Sequence, residues 1–370
     1  MRILADYRPA LRERTGVGEY LHGLIGAYAA AHPGEVTLFT ASWKDRLAPG
    51  VTAELGVDAI DRRIPVRLLN LLWHRAAWPA AETVAGRFDV VHAAHPLLIP
   101  ARHAAQVVTI HDLFFLHHPE QTAAEIRRDY AALAARHARR AHAVVTSTAH
   151  GKRLVGEELG VPAERIYVCP PGMPTWQSLG RAPHVPRDGY ILFMGTLEPR
   201  KNLGTLLDAY ELLLQRRPAI PALVLAGRAT GEAAGWLARI ARPPLAGRVR
   251  HLGYVPHKDR ESVFAGARVV VMPSLDEGFG LPALEAMSAG IPVVAANRGS
   301  LPEVVATGGL LFDPGEPPAL ASALEPLIDD DAVAAAWGQA GLERARSFSW
   351  SAAASTLRQA YADAVMRRQV

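Results

Sequence analysis

A chain of 370 residues is too long for one comfortable hydrophobic core and predicts two domains of ordinary size. Its 49% hydrophobic and 21% charged residues are those of a globular protein and exclude a disordered or fibrous one. The net charge of +4 suits phosphate-bearing substrates or an anionic membrane face without calling for nucleic acid, and the single cysteine, Cys169, excludes an intrachain disulfide and points to the cytoplasm.

From the start, short runs rich in valine and isoleucine alternate with stretches of helical periodicity, the pattern of βα units on parallel sheets covered on both faces. Strands are predicted over Arg2–Asp6, Val36–Thr40, Asp89–Ala93, Gln106–Ile110, Ala143–Ser147 and Ile166–Val168. After the first of them, Thr15-Gly16-Val17-Gly18-Glu19-Tyr20 opens a helix with two glycines that allow close approach to a phosphate or an acceptor. The dinucleotide fingerprint is incomplete, because Leu21 and His22 stand where its third glycine belongs. The stretch from Arg62 to Trp78 mixes arginines, leucines and tryptophans without an acid. It reads either as an interfacial helix for an anionic membrane or as core packing with surface arginines. His111, in Thr109-Ile110-His111-Asp112 at a strand end, is placed to hydrogen-bond a substrate hydroxyl or a leaving group, or merely caps the strand. His92, His95, His117 and His118 lack a matching ligand set, so no metal site is expected.

Past Pro170-Pro171-Gly172, a stretch holding Pro174, Gly180, Pro183 and Pro186 reads as a linker, and a second alternation begins with strands at Tyr190–Met194, Ala222–Ala226, Val249–Leu252, Val269–Met272 and Pro292–Ala295. Between the first two of these, Asn202 is the expected N-cap of an amphipathic helix, which places Arg200 and Lys201 at a helix N-terminus. Cations are disfavoured there, and a bound phosphate would resolve the conflict; a solvated basic turn is the alternative. After the strand at Val269–Met272 comes Glu277-Gly278-Phe279-Gly280-Leu281-Pro282, then a short helix holding Glu285 and ended by Gly290. The glycines sit at a strand C-terminus, where ligands of open α/β sheets bind, and the two carboxylates can accept from adjacent hydroxyls of one elongated ligand. Singly, Glu277 also reads as a helix-start carboxylate and Glu285 as a solvated side chain. Asp329-Asp330-Asp331 reads as a solvated helix start, and the helical residues from Trp350 onward need somewhere to pack.

Taken together, these segments resemble the retaining glycosyltransferases of family 4. Glu277-Gly278-Phe279-Gly280-Leu281-Pro282 through Glu285 is similar to that family's paired-glutamate motif, and Gly195-Thr196-Leu197-Glu198-Pro199-Arg200-Lys201-Asn202 to its donor diphosphate loop. Val168-Cys169-Pro170-Pro171-Gly172 and Ser300-Leu301-Pro302-Glu303 extend the resemblance over nearly the whole chain. It implies an α/β GT-B fold: two Rossmann-like domains with parallel sheets facing across a central cleft, and a C-terminal helix crossing back to the N-terminal domain. The expected boundaries are 1–175 with 352–370 for the acceptor side, 176–188 for the linker and 189–351 for the donor side.

The resemblance also implies roles. Arg200 and Lys201 would hold the diphosphate and stabilise it as it leaves, and Glu277 would bind donor sugar hydroxyls, aided by main-chain groups of Gly278, Phe279, Gly280 and Leu281. Glu285 would bind the ribose and main-chain atoms of Val255 the nucleobase. His111 would sit beside the donor sugar, with Gly16 and Gly18 near phosphate or acceptor. Some members carry arginine where this chain has Thr196, so phosphate binding leans harder on Arg200 and Lys201. The expected activity is retaining, metal-independent, front-side transfer of a hexose to a glycan or lipid-linked acceptor, from GDP-mannose in preference to UDP-sugars. No cofactor is expected beyond the nucleotide sugar as co-substrate, and no nucleic acid partner. A nucleotide-sugar epimerase or hydrolase on the same fold and a non-catalytic sugar-nucleotide sensor are the alternatives.

Overall fold

The computed structural model describes residues 1–11, 14–119, 130–217 and 219–369. The chain forms two compact units, Met1–Gly172 together with Ser349–Val370, and Met173–Phe348.

The first unit is built on a parallel sheet of seven strands: β1 Ile3–Asp6, β2 Val36–Ala41, β3 Asp58–Arg62, β4 Val90–Ala93, β5 Ala105–Thr109, β6 Ala143–Thr146 and β7 Ile166–Val168. Their order is β3-β2-β1-β4-β5-β6-β7. β1, β4 and β6 are buried along their whole length, as expected of strands covered on both faces. β3 escapes the sequence reading for the converse reason. It is an edge strand of sequence Asp-Ala-Ile-Asp-Arg, paired with β2 alone and buried at no position, so it needs no apolar run.

Helix Trp350–Gln369 belongs to this unit, packing on helix Gly16–Ala31 and across β4 to β7 through Ala353, Ala354, Leu357, Ala360, Tyr361 and Ala364. This is the returning C-terminal helix that the resemblance implied. Alanine on that face lets the helix lie close to the sheet, and a Cβ on Gly23 would collide with the ring of Trp350. Polar contacts join in: His92 of β4 has Nδ1 2.7 Å from the Tyr361 hydroxyl and Nε2 2.8 Å from Thr109 Oγ1, and the Tyr167 hydroxyl of β7 donates to Asp363 at 2.5 Å. Burial holds the His92 imidazole down to about 4, hence neutral.

The second unit has a parallel sheet of six strands: β8 Tyr190–Met194, β9 Leu223–Ala226, β10 Val249–Gly253, β11 Ala267–Met272, β12 Val293–Ala296 and β13 Leu310–Phe312, in the order β10-β9-β8-β11-β12-β13. β13, unforeseen in the sequence, is a three-residue edge strand. The core joins Ile191, Phe193, Val224, Val270 and Val271 of the sheet to Leu206, Leu284 and Leu324 of the covering helices. The chain runs outward from β8 through β9 to β10, then returns to β11 on the other side of β8. The strand order therefore reverses between β8 and β11. At such a reversal the connections leave in opposite directions and open a crevice at the carboxyl ends of the strands, where ligands of open α/β sheets bind.

Candidate functional site

The two loops that leave β8 and β11, at the point of reversal, carry the charged motifs. The β8 loop tightens into a 3₁₀ turn at Pro199–Lys201 and ends at Asn202 with φ of 53°. Asn202 is the N-cap residue of the next helix, Leu203–Arg216, as expected, but its side chain makes no capping hydrogen bond to that helix's backbone. Its Nδ2 donates to the carbonyls of Pro273, at 3.1 Å, and Pro314, at 3.0 Å, while its Oδ1 accepts from Thr205 at 3.0 Å. Asparagine tolerates the left-handed backbone, and its amide is spent on tying the β8 loop to the loops after β11 and β13. The Leu275 N–H, donating to the Arg200 carbonyl at 2.9 Å, is a second tie between the β8 and β11 loops.

Across these ties the side chains converge. Lys201 Nζ lies 2.5 Å from Glu277 Oε1, which also accepts from Ser274 Oγ at 2.7 Å. Arg200 reaches Glu277 Oε2 at 3.4 Å and the Asp276 carbonyl at 3.1 Å, and donates twice to Glu198 Oε1, at 2.8 and 3.1 Å. Arg200, Lys201 and Glu277 are 18%, 12% and 7% exposed, so the cluster is largely desolvated. Burial alone would raise the Glu277 carboxyl, but Lys201 and then Arg200 more than offset it and hold the group below the usual carboxylate range. Glu277 is thus an ion-paired carboxylate, and the reading of it as a mere helix-start acid does not describe its surroundings.

Beyond Glu277 the backbone passes Gly278 and Phe279 to Gly280, whose φ of 95° suits glycine, and enters helix Leu281–Ser288. Phe279 is buried edge-on against Phe348 at 5.5 Å, so its ring anchors the loop. Glu285 on this helix is not a solvated side chain. Arg260 from helix His257–Ala265 grips it with a fork, Nε to Oε1 at 2.9 Å and Nη2 to Oε2. Val255 is half-buried on the turn between β10 and that helix, and Thr196 is half-buried in the β8 loop. Sequence reasoning missed Glu198, Ser274 and Arg260. Glu198 lies inside the diphosphate-loop motif and Ser274 three residues before Glu277, whereas nothing local marks Arg260.

The other expected residues lie in the first unit. Gly16 is exposed at the opening of helix Gly16–Ala31, while Gly18 is buried where a Cβ would stand 3.2 Å from the Pro9 carbonyl, a packing role. His111 follows β5, with its ring edge-on to Tyr20 at 5.3 Å and Nε2 3.3 Å from the Ala94 carbonyl. Burial depresses its pKa, so it is a neutral imidazole rather than a cation. An unexpected pair stands at the end of β1: Arg8 donates to both oxygens of buried Asp6, at 2.7 and 2.8 Å, and to Asn70 Oδ1 at 2.9 Å, its guanidinium 4.8 Å from the centre of the Trp73 ring.

The stretch 62–78 is buried in part. Leu69 and Trp73 of helix Val66–Ala76 are buried, but Leu68, Leu71 and Trp78 are 49%, 56% and 55% exposed on a surface that also exposes Arg63, Arg67 and Arg75. Among the described residues no helix is long and apolar enough to cross a membrane, and no three His, Cys, Asp or Glu side chains are grouped to hold a metal ion. Asp330 caps helix Asp331–Ala345 through the Ala332 and Val333 N–H groups, and Asp331 pairs with Arg268 at 2.8 Å.

Comparison with known proteins places these features in company. Residues 178–344 match the family described as Glycosyl transferases group 1, and residues 14–177 match Glycosyltransferase Family 4. The chain is 31% identical to the O-antigen chain mannosyltransferase B of Escherichia coli, over 95% of this chain and 96% of that one. Among solved structures it resembles a sucrose-phosphate synthase from Thermosynechococcus elongatus, with a TM-score of 0.78 at 22% identity over 98% of both chains. It also resembles HepE of Anabaena in complex with UDP-glucose, with a TM-score of 0.73 at 20% identity over 97% of this chain and 98% of that one.

Proposed function

The chain belongs to the group 1, family 4 glycosyltransferases of GT-B fold, and from that premise we propose that it transfers a hexose, mannose from GDP-mannose by preference, to a glycan or lipid-linked glycan with retention of configuration and without a metal. One observation carries this reading: Arg200, Lys201 and Glu277 meet at the strand reversal of the second unit, beside the Gly278–Gly280 loop. Lys201 pairs with Glu277. A diphosphate brings negative charge that competes for both cations, and Glu277 is then available to accept from sugar hydroxyls.

As the C1–O bond to the β-phosphate breaks, its electron pair stays on phosphate oxygen, and preorganised cations that meet the growing charge lower the barrier. The acceptor oxygen attacks C1 on the same face and its proton passes to that phosphate oxygen, which requires neither a nucleophilic carboxylate nor a resident cofactor. Glu285 takes the ribose, main-chain atoms at Val255 the base, and main-chain groups of Thr196 and Gly278 to Leu281 the phosphates and sugar. Neutral His111 is assigned to a donor-sugar hydroxyl, and exposed Gly16 rather than Gly18 to a phosphate or acceptor. The mannosyltransferase relative supports mannose, and the structural likeness at about one-fifth identity supports the fold alone.

The test is a thermal-shift panel of GDP-mannose and UDP-hexoses in EDTA, followed by NMR assignment of the product anomer. GDP-mannose at about 100 times its Kd should stabilise the second unit by about 2.7 kcal/mol. A panel in which no sugar nucleotide moves the transition, or activity that returns only with Mg²⁺ or Mn²⁺, would overturn the corresponding part of the proposal. Consumption of donor with no acceptor present would instead mark a hydrolase.

The exposed leucine, tryptophan and arginine surface of 62–78 supports a lipid-linked acceptor met at an anionic membrane, the cytoplasmic face being the expected location. Vesicles rich in phosphatidylglycerol should carry the protein upward in a flotation gradient at low salt, and Leu71→Glu with Trp78→Glu should leave it at the bottom. Equal flotation of both proteins would remove the membrane from this account.

A further inference from the structure

The pair formed by Arg260 and Glu285 links two elements that the sequence treats separately. Arg260 stands on helix His257–Ala265, which begins directly after the Val255-Pro256 turn, and Glu285 stands on helix Leu281–Ser288, which begins directly after Gly280. The two side chains are 14% and 12% exposed, and the guanidinium engages both carboxylate oxygens at once. Such a fork fixes the plane of the carboxylate while taking only one lone pair from each oxygen. The second lone pair of each oxygen remains an acceptor with a set direction. Two hydroxyls on adjacent ring carbons present donors at matching spacing, whereas an unheld carboxylate would lose rotamer freedom to meet them.

Charge points the same way. Arg200, Lys201 and Arg260 stand against Glu198, Glu277 and Glu285, so removing Arg260 leaves this set with excess negative charge facing an anionic ligand.

Resting on the proposed place of Glu285 at the ribose, we infer that Arg260 is a positioning residue that holds Glu285 in the plane from which it accepts both ribose hydroxyls, and so sets the preference for ribonucleotide over deoxyribonucleotide donors. The measurement is calorimetric binding of GDP, UDP and their 2′-deoxy counterparts to the wild type and to Arg260→Met, Arg260→Lys and Glu285→Gln. In the wild type the ribose form should bind about 10-fold tighter, the worth of one charge-assisted hydrogen bond.

Arg260→Met should weaken the ribonucleotide by a further order of magnitude and bring the ribose-to-deoxyribose ratio close to one, with donor KM rising and kcat nearly kept, as when uniform binding is lost. Arg260→Lys restores the charge without the fork and should recover affinity but not the ratio. If Arg260→Met does not fold, Arg260→Lys carries the test through the ratio. A wild-type ratio in the Arg260 variants, whatever their melting temperature, overturns the inference. Unchanged affinity and ratio in Glu285→Gln would instead overturn the ribose assignment beneath it.

Discussion

Replacing Arg200 and Lys201 together by alanine is expected to lower kcat by at least about 10³-fold, since single preorganised groups that meet developing charge are already worth about 10²–10³. The same change disturbs the fold, because it strands Glu277, which is 7% exposed, with Ser274 as its remaining hydroxyl partner. Removing one side of a buried pair costs about 3–5 kcal/mol when the survivor stays charged. Here the survivor has an escape. With both cations gone, only the Ser274 hydrogen bond still opposes burial, the largest influence on the group, and the Glu277 carboxyl is expected to rise above its ordinary value. A folded-state pKa above the unfolded one means that stability is kept below the ordinary carboxylate range and lost as pH rises through the new value. The wild type has the opposite sign: the depressed Glu277 stabilises above the ordinary range and its contribution fades as pH falls. Adding Glu277→Gln to the double variant should therefore restore melting temperature at neutral pH without restoring turnover, which separates structural from chemical loss. Near-normal turnover in the double variant would end the account of the site.

That cluster was legible in the sequence because Arg200, Lys201 and Glu277 lie in two short motifs, each at the end of an apolar strand. The sheet order that brings the motifs side by side was not legible, since neighbouring strands are distant in sequence. Asn202 shows the same limit on a smaller scale: a good N-cap by type, it serves carbonyls more than seventy positions away. Arg260 escaped notice because one arginine on a polar helix carries no local signal, and its meaning depends on Glu285 across the fold. β3 and β13 were missed because edge strands are short or polar and do not carry the apolar run that marks a central strand.

Acidification is expected to unfold the first unit before the second. His74, His92, His95 and His137, all in the first unit, are held down to about 4 chiefly by burial. An unfolded chain binds protons at these positions from the ordinary value of 6.5 downward, while the folded chain does not until about 4. Stability must therefore fall as pH drops through that window. For His92, 3% exposed and bonded to Tyr361 and Thr109, the full shift corresponds to about 3 kcal/mol once pH lies below both values. Hydrogen exchange followed by mass spectrometry at pH 7 and pH 5 should show helix Trp350–Gln369 and strands β4 and β5 losing protection while β8 and β11 keep theirs. His92→Gln, which keeps a donor and an acceptor but does not titrate, should flatten the pH dependence by about one proton. Equal protection of both units at pH 5, or an unaltered slope in His92→Gln, would show that the buried imidazoles do not govern acid stability.

The route of the chain through its two units has a consequence for the nascent protein. The second unit is one uninterrupted segment, whereas the first is completed only by residues 349–369, which cover β4 to β7. At ordinary translation rates about 10–40 s separate the emergence of Gly172 from that of the covering helix. During that interval an apolar sheet face stands open on the ribosome, so the half that contains β1, though made first, is the later of the two to close.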